Sequence, residues 1–288
     1  MYERHFGFRE PPFSLTPDTA FFINQQSHKA ALNTMLLALH HSEGFIKIVG
    51  EVGTGKTLLC RILLSRLGRD YVSAYIPNPW LNPEELKAFV ASEIGAKTNS
   101  HMPAHELMSA IYRRLMQLNR NGQRVILLVD EAQAMPRETL ECLRLLSNLE
   151  TEKRKLLQII LVGQPELDKI LNRNDLRQLK QRIVFAENLQ PIKGKAITRY
   201  VRHRLVQAGC MDNQFFSNAA LRLLSKGSGG IPRLLNILAH KSLLCAYGKG
   251  RKRINLWHVA AAIMDTHESH WLARVYAWNF RLASKAWS

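Results

Sequence analysis

A glycine-rich octapeptide, Gly50-Glu51-Val52-Gly53-Thr54-Gly55-Lys56-Thr57, constrains this chain more than any other stretch. It follows a short apolar run, Phe45 to Val49, and opens a helix predicted from about Lys56 to Leu67. The sequence fits GxxxxGK[ST] in full. Glycines at these places let consecutive backbone N–H groups turn inward onto phosphate oxygens, and the helix N-terminus adds partial positive charge. In that reading residues Gly50, Glu51, Val52, Gly53, Thr54, Gly55, Lys56, Thr57 and Leu58 form the nucleotide cradle. Lys56 reaches the β- and γ-phosphates and the Thr57 hydroxyl holds Mg²⁺.

A second feature matches the first. Val125 to Val129 is a continuous apolar run that ends in Asp130-Glu131. Parallel sheets bind ligands at the carboxyl ends of their strands, and this pair of carboxylates stands at such an end. Asp130 is predicted to hold Mg²⁺, directly or through its water shell. Glu131 is predicted to orient or deprotonate an attacking water as general base. A carboxylate pair argues for ATP hydrolysis rather than nucleotide storage alone.

The rest of the chain places these motifs in an α/β fold. Strands are predicted at 45–49, 71–76, 125–129, 156–162 and 183–187, with helices from Ser27 (as N-cap) to about His41, and at 83–94, 104–120 and 136–149. Continuous apolar strands imply a parallel sheet covered on both faces. After Pro191 only helical patterns follow, at 194–208, 217–225, 232–247 and 256–266, punctuated by glycines. The predicted organisation is an irregular Phe- and Pro-rich arm over 1–26, a P-loop α/β domain over 27–192, a small all-α lid domain over 193–266 and a basic aromatic helix over 267–288. The 288 residues are ample for this.

Composition excludes several classes. Hydrophobic residues make up 46% and charged residues 22% of the chain, which excludes a largely disordered chain or a rod. No apolar run approaches the roughly 20 residues of a membrane span. The charged, proline-broken N-terminus is no secretory signal. Cys60, Cys142, Cys210 and Cys245 are scattered without a CxxC pair, as in a reduced cytoplasmic protein. The charge is lopsided: residues 171–288 hold 20 basic and 5 acidic side chains, a net of +15 out of +17. Such asymmetry points to a polyanionic partner, whether nucleic acid, anionic lipid or acidic protein.

The segments GEVGTGKT, ILLVDEAQ, IILVGQPEL and GGIPRLLN, with the opening HFGFREPPFSLTPDTAFF, together resemble the AAA+ ATPases of the ExeA/GspA type. The resemblance covers about residues 1–265. It implies an AAA+ P-loop NTPase with a parallel central sheet and a small all-α lid, using ATP and Mg²⁺. It implies a homo-oligomer serving type IV pilus assembly, of the mannose-sensitive haemagglutinin kind, or secretion at the bacterial inner membrane. More distant relatives, the transposition and replication-initiator ATPases, work on DNA, so a DNA-dependent ATPase stays open. So does a nucleotide-gated scaffold without turnover.

The resemblance also implies roles for further residues. Gln164 occupies the place of a polar γ-phosphate sensor, and Arg233 in GGIPR that of the second sensor. Arg182 occupies the place of an arginine finger acting on a neighbouring subunit, with Arg173 and Arg177 as alternatives. Asn78 is a candidate to hold Glu131 inactive. Phe6 and Phe8 are candidates for adenine contact or for core packing. The His267–His270 pair is read as surface. The tail, 271–288, carries Trp271, Val275, Trp278 and Leu282 on one helical stripe with Arg274, Arg281 and Lys285 beside it. That pattern suits a helix lying on anionic lipid, docking a partner or packing on its own domain, and makes any membrane contact peripheral.

Overall fold

The computed structural model describes residues 2–16, 26–41, 44–99, 102–152, 154–212, 214–270, 273–274 and 277. The remainder of the predicted arm (17–25) and nearly all of the aromatic tail lie outside the described residues. The chain divides into two compact units: Gln26–Glu51 with Leu59–Leu189, and Met1–Gln25 with Val52–Leu58 and Gln190–Ser288.

The first of these is a three-layer α/β unit. Its strands are β1 (Phe45–Gly50), β2 (Tyr71–Ile76), β3 (Arg124–Val129), β4 (Leu157–Gly163) and β5 (Ile183–Leu189). They form one sheet in the order β2-β3-β4-β1-β5, and every pairing is parallel. The three inner strands, β3, β4 and β1, are buried on both faces. Phe45, Val49, Leu127, Val129, Ile159 and Leu161 share a core with α4 (Pro83–Glu93), α5 (Ala104–Arg120) and α6 (Arg137–Leu146). The alternate residues Ile46, Ile48, Ile126, Leu128, Ile160 and Val162 are equally buried. Each such side chain contributes roughly 1.5–3 kcal/mol by leaving water, so the central strands dominate the stability of this unit. β5 is one of the two edge strands and alternates between half-buried and exposed, as an edge partly open to water does.

Polar residues in the sheet have structural partners. α2 (Gln26–His40) packs on β1 and β5. Its last carbonyls have no intrahelical donors. Arg124 Nη1 donates to the carbonyls of Leu39 (3.0 Å) and His40 (3.2 Å), and Gln158 Nε2 donates to those of Ala38 and Leu39 (both 3.3 Å). This explains a glutamine in an otherwise apolar central strand. Asn82 caps α4: its side chain accepts from the N–H groups of Glu84 and Glu85, and Glu85 returns a bond to the Asn82 N–H.

The second unit is helical. It comprises α9 (Lys195–Gln207), α10 (Asn218–Ser228), α11 (Pro232–Gly248) and α12 (Leu256–Met264), together with the N-terminal segment. Tyr2, Phe8 and Phe13 share one core with Leu205, Phe215, Phe216, Leu235 and Ile263.

Several local expectations need correction. The arm begins with a short helix, α1 (Tyr2–Phe6), instead of running irregularly from the start; Tyr2 buries itself in the helical core. Ser27 lies inside α2, which already includes Gln26. α6 stops at Leu146, three residues short of the expected end, and Arg182 bonds to its C-terminal end (below). Two short helices between β4 and β5, α7 (Glu166–Leu171) and α8 (Arg177–Lys180), carry too few turns for a helical period to show in sequence.

Candidate functional site

β1 carries the chain through the middle of the sheet to Gly50, and α3 (Lys56–Arg66) begins five residues after Glu51. The loop between them needs two backbone conformations that side chains resist: Gly53 has φ +80° and Gly55 φ +96°. Thr54 is fully buried and Lys56 is 5% exposed. A buried lysine at a helix N-terminus concentrates positive charge on one tight turn.

Within the helical unit, this loop meets the start of α11. The backbone N–H of Arg233 donates to the Gly53 carbonyl (3.1 Å). A Cβ on Gly53 would lie 2.6 Å from the Arg233 Cβ and 3.2 Å from Ile231 Cγ2. Arg233 thus runs its aliphatic stem over the loop, with Pro232 at the first turn setting the helix start.

The acidic pair stands at the carboxyl end of β3, on the sheet edge from which the glycine loop departs. Asp130 is 2% exposed. Its Oδ1 accepts the Glu131 N–H (2.9 Å) and its Oδ2 faces the Tyr75 hydroxyl (3.4 Å). Burial, then the Asp130 charge, pushes the Tyr75 phenol well above its ordinary pKa, so it stays a neutral donor to the carboxylate. Glu131 is the one described non-glycine residue with positive φ, at +49°. That left-handed turn ends the strand abruptly.

Glu131 Oε2 accepts two bonds, from Gln133 Nε2 (2.6 Å) and Gln164 Nε2 (2.9 Å). The Gln164 backbone N–H donates in turn to Gln133 Oε1 (2.9 Å). Gln164 follows β4 directly, so adjacent strands β3 and β4 deliver the acid and the amide to one place. The Asn78 side chain accepts the Trp80 N–H (3.4 Å).

Sequence reasoning missed Gln133 and Tyr75. Gln133 sits in the quoted DEAQ stretch, two residues beyond the acid on a 3-10 turn (Ala132–Ala134), a spacing that folds its side chain back. Tyr75 offered only its place near the end of an alternating strand.

The arginines between β4 and β5 separate. Arg182 Nη1 donates to Ser147 Oγ (2.7 Å) and the Arg144 carbonyl (3.5 Å), capping α6 within its own chain. Arg173 pairs loosely with Asp175 (3.4 Å). Arg177 opens α8 and is exposed. Phe6 and Phe8 pack on each other and on Phe215, with centroids 5.3–5.5 Å apart. Thr57 and Asp130 each carry oxygen of the hard kind that Mg²⁺ prefers.

Comparison with known proteins agrees with this geometry. Residues 39–171 match a family model described as an AAA domain. The chain is 40% identical over 254 residues to General secretion pathway protein A of Aeromonas hydrophila, covering 88% of this chain and 46% of that protein. It therefore spans about half the length of that relative. Among solved structures, the Aeropyrum pernix ORC2 protein in ADPNP-ADP complexes is similar with a TM-score of 0.63 at 17% identity, over 86% of this chain and 71% of that one. The Aeropyrum pernix ORC1 protein in complex with DNA gives 0.64 at 17%, over 90% and 69%. The Thermotoga maritima RuvB Holliday junction branch migration motor gives 0.56 at 18%, over 85% and 70%. At such identities the likeness is one of fold.

Proposed function

We propose that this chain is an AAA-type P-loop ATPase of the ExeA/GspA type, which couples Mg²⁺-dependent ATP hydrolysis to assembly of a secretion or type IV pilus machinery at the inner membrane; the AAA-domain match over residues 39–171 supports this reading. Within that group we place it nearest the pilus-biogenesis protein MshM. Thr57 and Asp130 would hold Mg²⁺, which would supply positive charge to the phosphate oxygens. The cradle from Gly50 to Leu58 binds the phosphates through backbone N–H groups, and Lys56 counters the charge that develops during transfer. Glu131 takes a proton from the attacking water. Gln164 and Arg233 respond to the γ-phosphate. An arginine of a neighbouring subunit, Arg182 with Arg173 and Arg177 as rivals, completes the site in trans, so the working form is a homo-oligomer.

One observation carries the catalytic part: Asp130 and Glu131 end the strand next but one to the strand that delivers the buried Lys56 loop. The 40% identity to a general secretion pathway protein supports the biological setting. No helix among the described residues is long and apolar enough to cross a membrane.

A second reading, a DNA-dependent ATPase, draws on the +15 of residues 171–288 and on likeness to a fold solved with DNA. The test is ATP turnover of the full chain at fixed salt with anionic liposomes, neutral liposomes or duplex DNA added in turn. Stimulation by anionic liposomes alone supports the membrane-assembly reading. Stimulation by DNA with steep salt dependence replaces it. Nucleotide-dependent oligomerisation without turnover under any condition replaces both with a gated scaffold.

A further inference from the structure

The side chain of Gln133 joins two residues that arrive from different strands. Its Nε2 donates to Glu131 Oε2 and its Oε1 accepts the Gln164 backbone N–H. The backbone donor fixes which end of the amide is which. Flipping it would set NH₂ against an N–H and a carbonyl oxygen against a carboxylate, two repulsions in place of two bonds. Glu131 also accepts from the Gln164 side chain, so a closed three-residue ring results. Donation to an ionised acid is the strong kind of hydrogen bond.

The surroundings are shaped for this ring. The left-handed turn at Glu131 directs the chain into the 3-10 turn that carries Gln133 back. Gly163 precedes Gln164, and a Cβ there would lie 2.9 Å from Gln133 Oε1 and 3.0 Å from Leu167 Cδ2. A side chain at 163 would displace the Gln133 amide, which is the far end of a flexible side chain.

We propose that Gln133 is a positioning residue that ties the general base Glu131 to the Gln164 backbone at the end of β4, so that a shift of that backbone reaches the base through the Gln133 amide as well as through the Gln164 side chain. The inference rests on the reading of Glu131 as base. It requires no contact between Gln133 and nucleotide. The amide holds the carboxylate by one end and senses the strand by the other.

The test uses the full chain. Gln133→Ala is expected to lower kcat at least tenfold and to leave ATP affinity within twofold. Gln133→Glu keeps an acceptor for the Gln164 N–H but sets a second carboxylate against Glu131. Like charges disfavour ionisation, so the acidic limb of its kcat–pH profile moves up by about one pH unit. Gly163→Ala reproduces the Gln133→Ala loss in kcat. Hydrogen exchange of the Gln164 amide in the nucleotide-free chain reads the tether without turnover, and speeds at least tenfold in Gln133→Ala. Wild-type kcat and pH profile in both Gln133 variants, with Glu131→Gln inactive, would overturn the inference and leave the base assignment intact. Turnover retained in Glu131→Gln would instead remove the base assignment. Unchanged exchange at Gln164 would overturn the tether in either case.

Discussion

The N–H of Arg233 donates to the carbonyl oxygen of Gly53 across 3.1 Å, locking the start of a helix onto the middle of the phosphate loop. This closeness depends on Gly53 having no side chain. Its φ of +80° costs an L-residue roughly 1 kcal/mol, and a Cβ would overlap that of Arg233 at 2.6 Å. Gly53→Ala is therefore expected to part the loop from Arg233. ATP affinity should fall at least tenfold, measured by titration with a fluorescent ATP analogue. Undiminished affinity would show that the loop reaches its binding form without this contact.

The backbone at Glu131 yields a prediction about stability that runs against activity. Left-handed φ at a non-glycine residue stores strain, and such strain gathers at functional sites. Glu131→Gly and Glu131→Ala both remove the carboxylate and should both abolish turnover. Only glycine relieves the backbone, so the glycine variant should be more stable than the alanine variant by about 1 kcal/mol. Denaturant unfolding of the pair measures this. Equal stabilities would mean the turn relaxes at no cost.

The parallel sheet was legible because its signal is local. Phe45, Leu127 and Ile160 lie in continuous apolar runs, and a strand buried on both faces has no alternation to obscure it. The helices of the second unit were legible from their helical patterns and from the glycines between them, among which Gly229 does take the left-handed backbone at the end of α10. The glycine loop and the Asp130-Glu131 pair were likewise written in contiguous residues. What stayed hidden depends on side chains meeting across the sheet. Gln133 shows no role until β4 brings Gln164 beside it. Arg182 matched the place of an arginine finger, yet its bond to Ser147 depends on where α6 stops, which no local spacing states.

Acid should loosen the helical unit before it affects carboxylates. His203, His240 and His258 are all held below the ordinary imidazole value, in each case chiefly by burial, with Arg204 acting on His203 and Lys249 and Arg251 on His258. Glu3 near His240 opposes the effect there. These rings are neutral in the folded chain, while the unfolded chain binds protons near pH 6.5. Stability is thus complete above about 6.5 and is lost as pH falls from there toward the depressed folded values. Exposed Glu150 and Asp265, lowered mainly by hydrogen bonds from Lys155 and Lys241, act only below the normal carboxylate range. The melting temperature should drop between pH 7 and pH 5. His258→Gln keeps an acceptor for the Asn255 N–H, a bond of 3.1 Å now made to Nδ1, and removes one titration. Its melting temperature should fall less steeply over that interval. An unchanged slope would assign the acid sensitivity elsewhere.

One buried cation braces the N-terminal segment. Arg204 of α9 is 6% exposed, and its guanidinium donates to the carbonyls of Pro12 (2.6 Å) and Ser14 (3.2 Å) and to the Tyr200 hydroxyl (3.2 Å). Tyr200 passes the chain of bonds to Asn236 Oδ1 (3.0 Å). Prolines and bulky residues around positions 11–13 give that segment no regular backbone pairing, so its carbonyls depend on this fork. Arg204→Met keeps the length and helix propensity but deletes every donor. Leaving two carbonyls unpaired costs more than relieving the buried charge returns, so a net loss of about 2–4 kcal/mol is expected. Arg204→Lys retains one compact donor and should lose less, because an ammonium cannot reach both carbonyls in the plane that the guanidinium spans. Limited trypsin digestion reads the result directly at Arg9, whose own N–H is bonded to the Ala208 carbonyl (2.8 Å). Cleavage there should be fastest in Arg204→Met, intermediate in Arg204→Lys and slowest in the wild type. Equal rates in all three would mean that the aromatic packing of Phe8 and Phe13 holds the segment without the arginine.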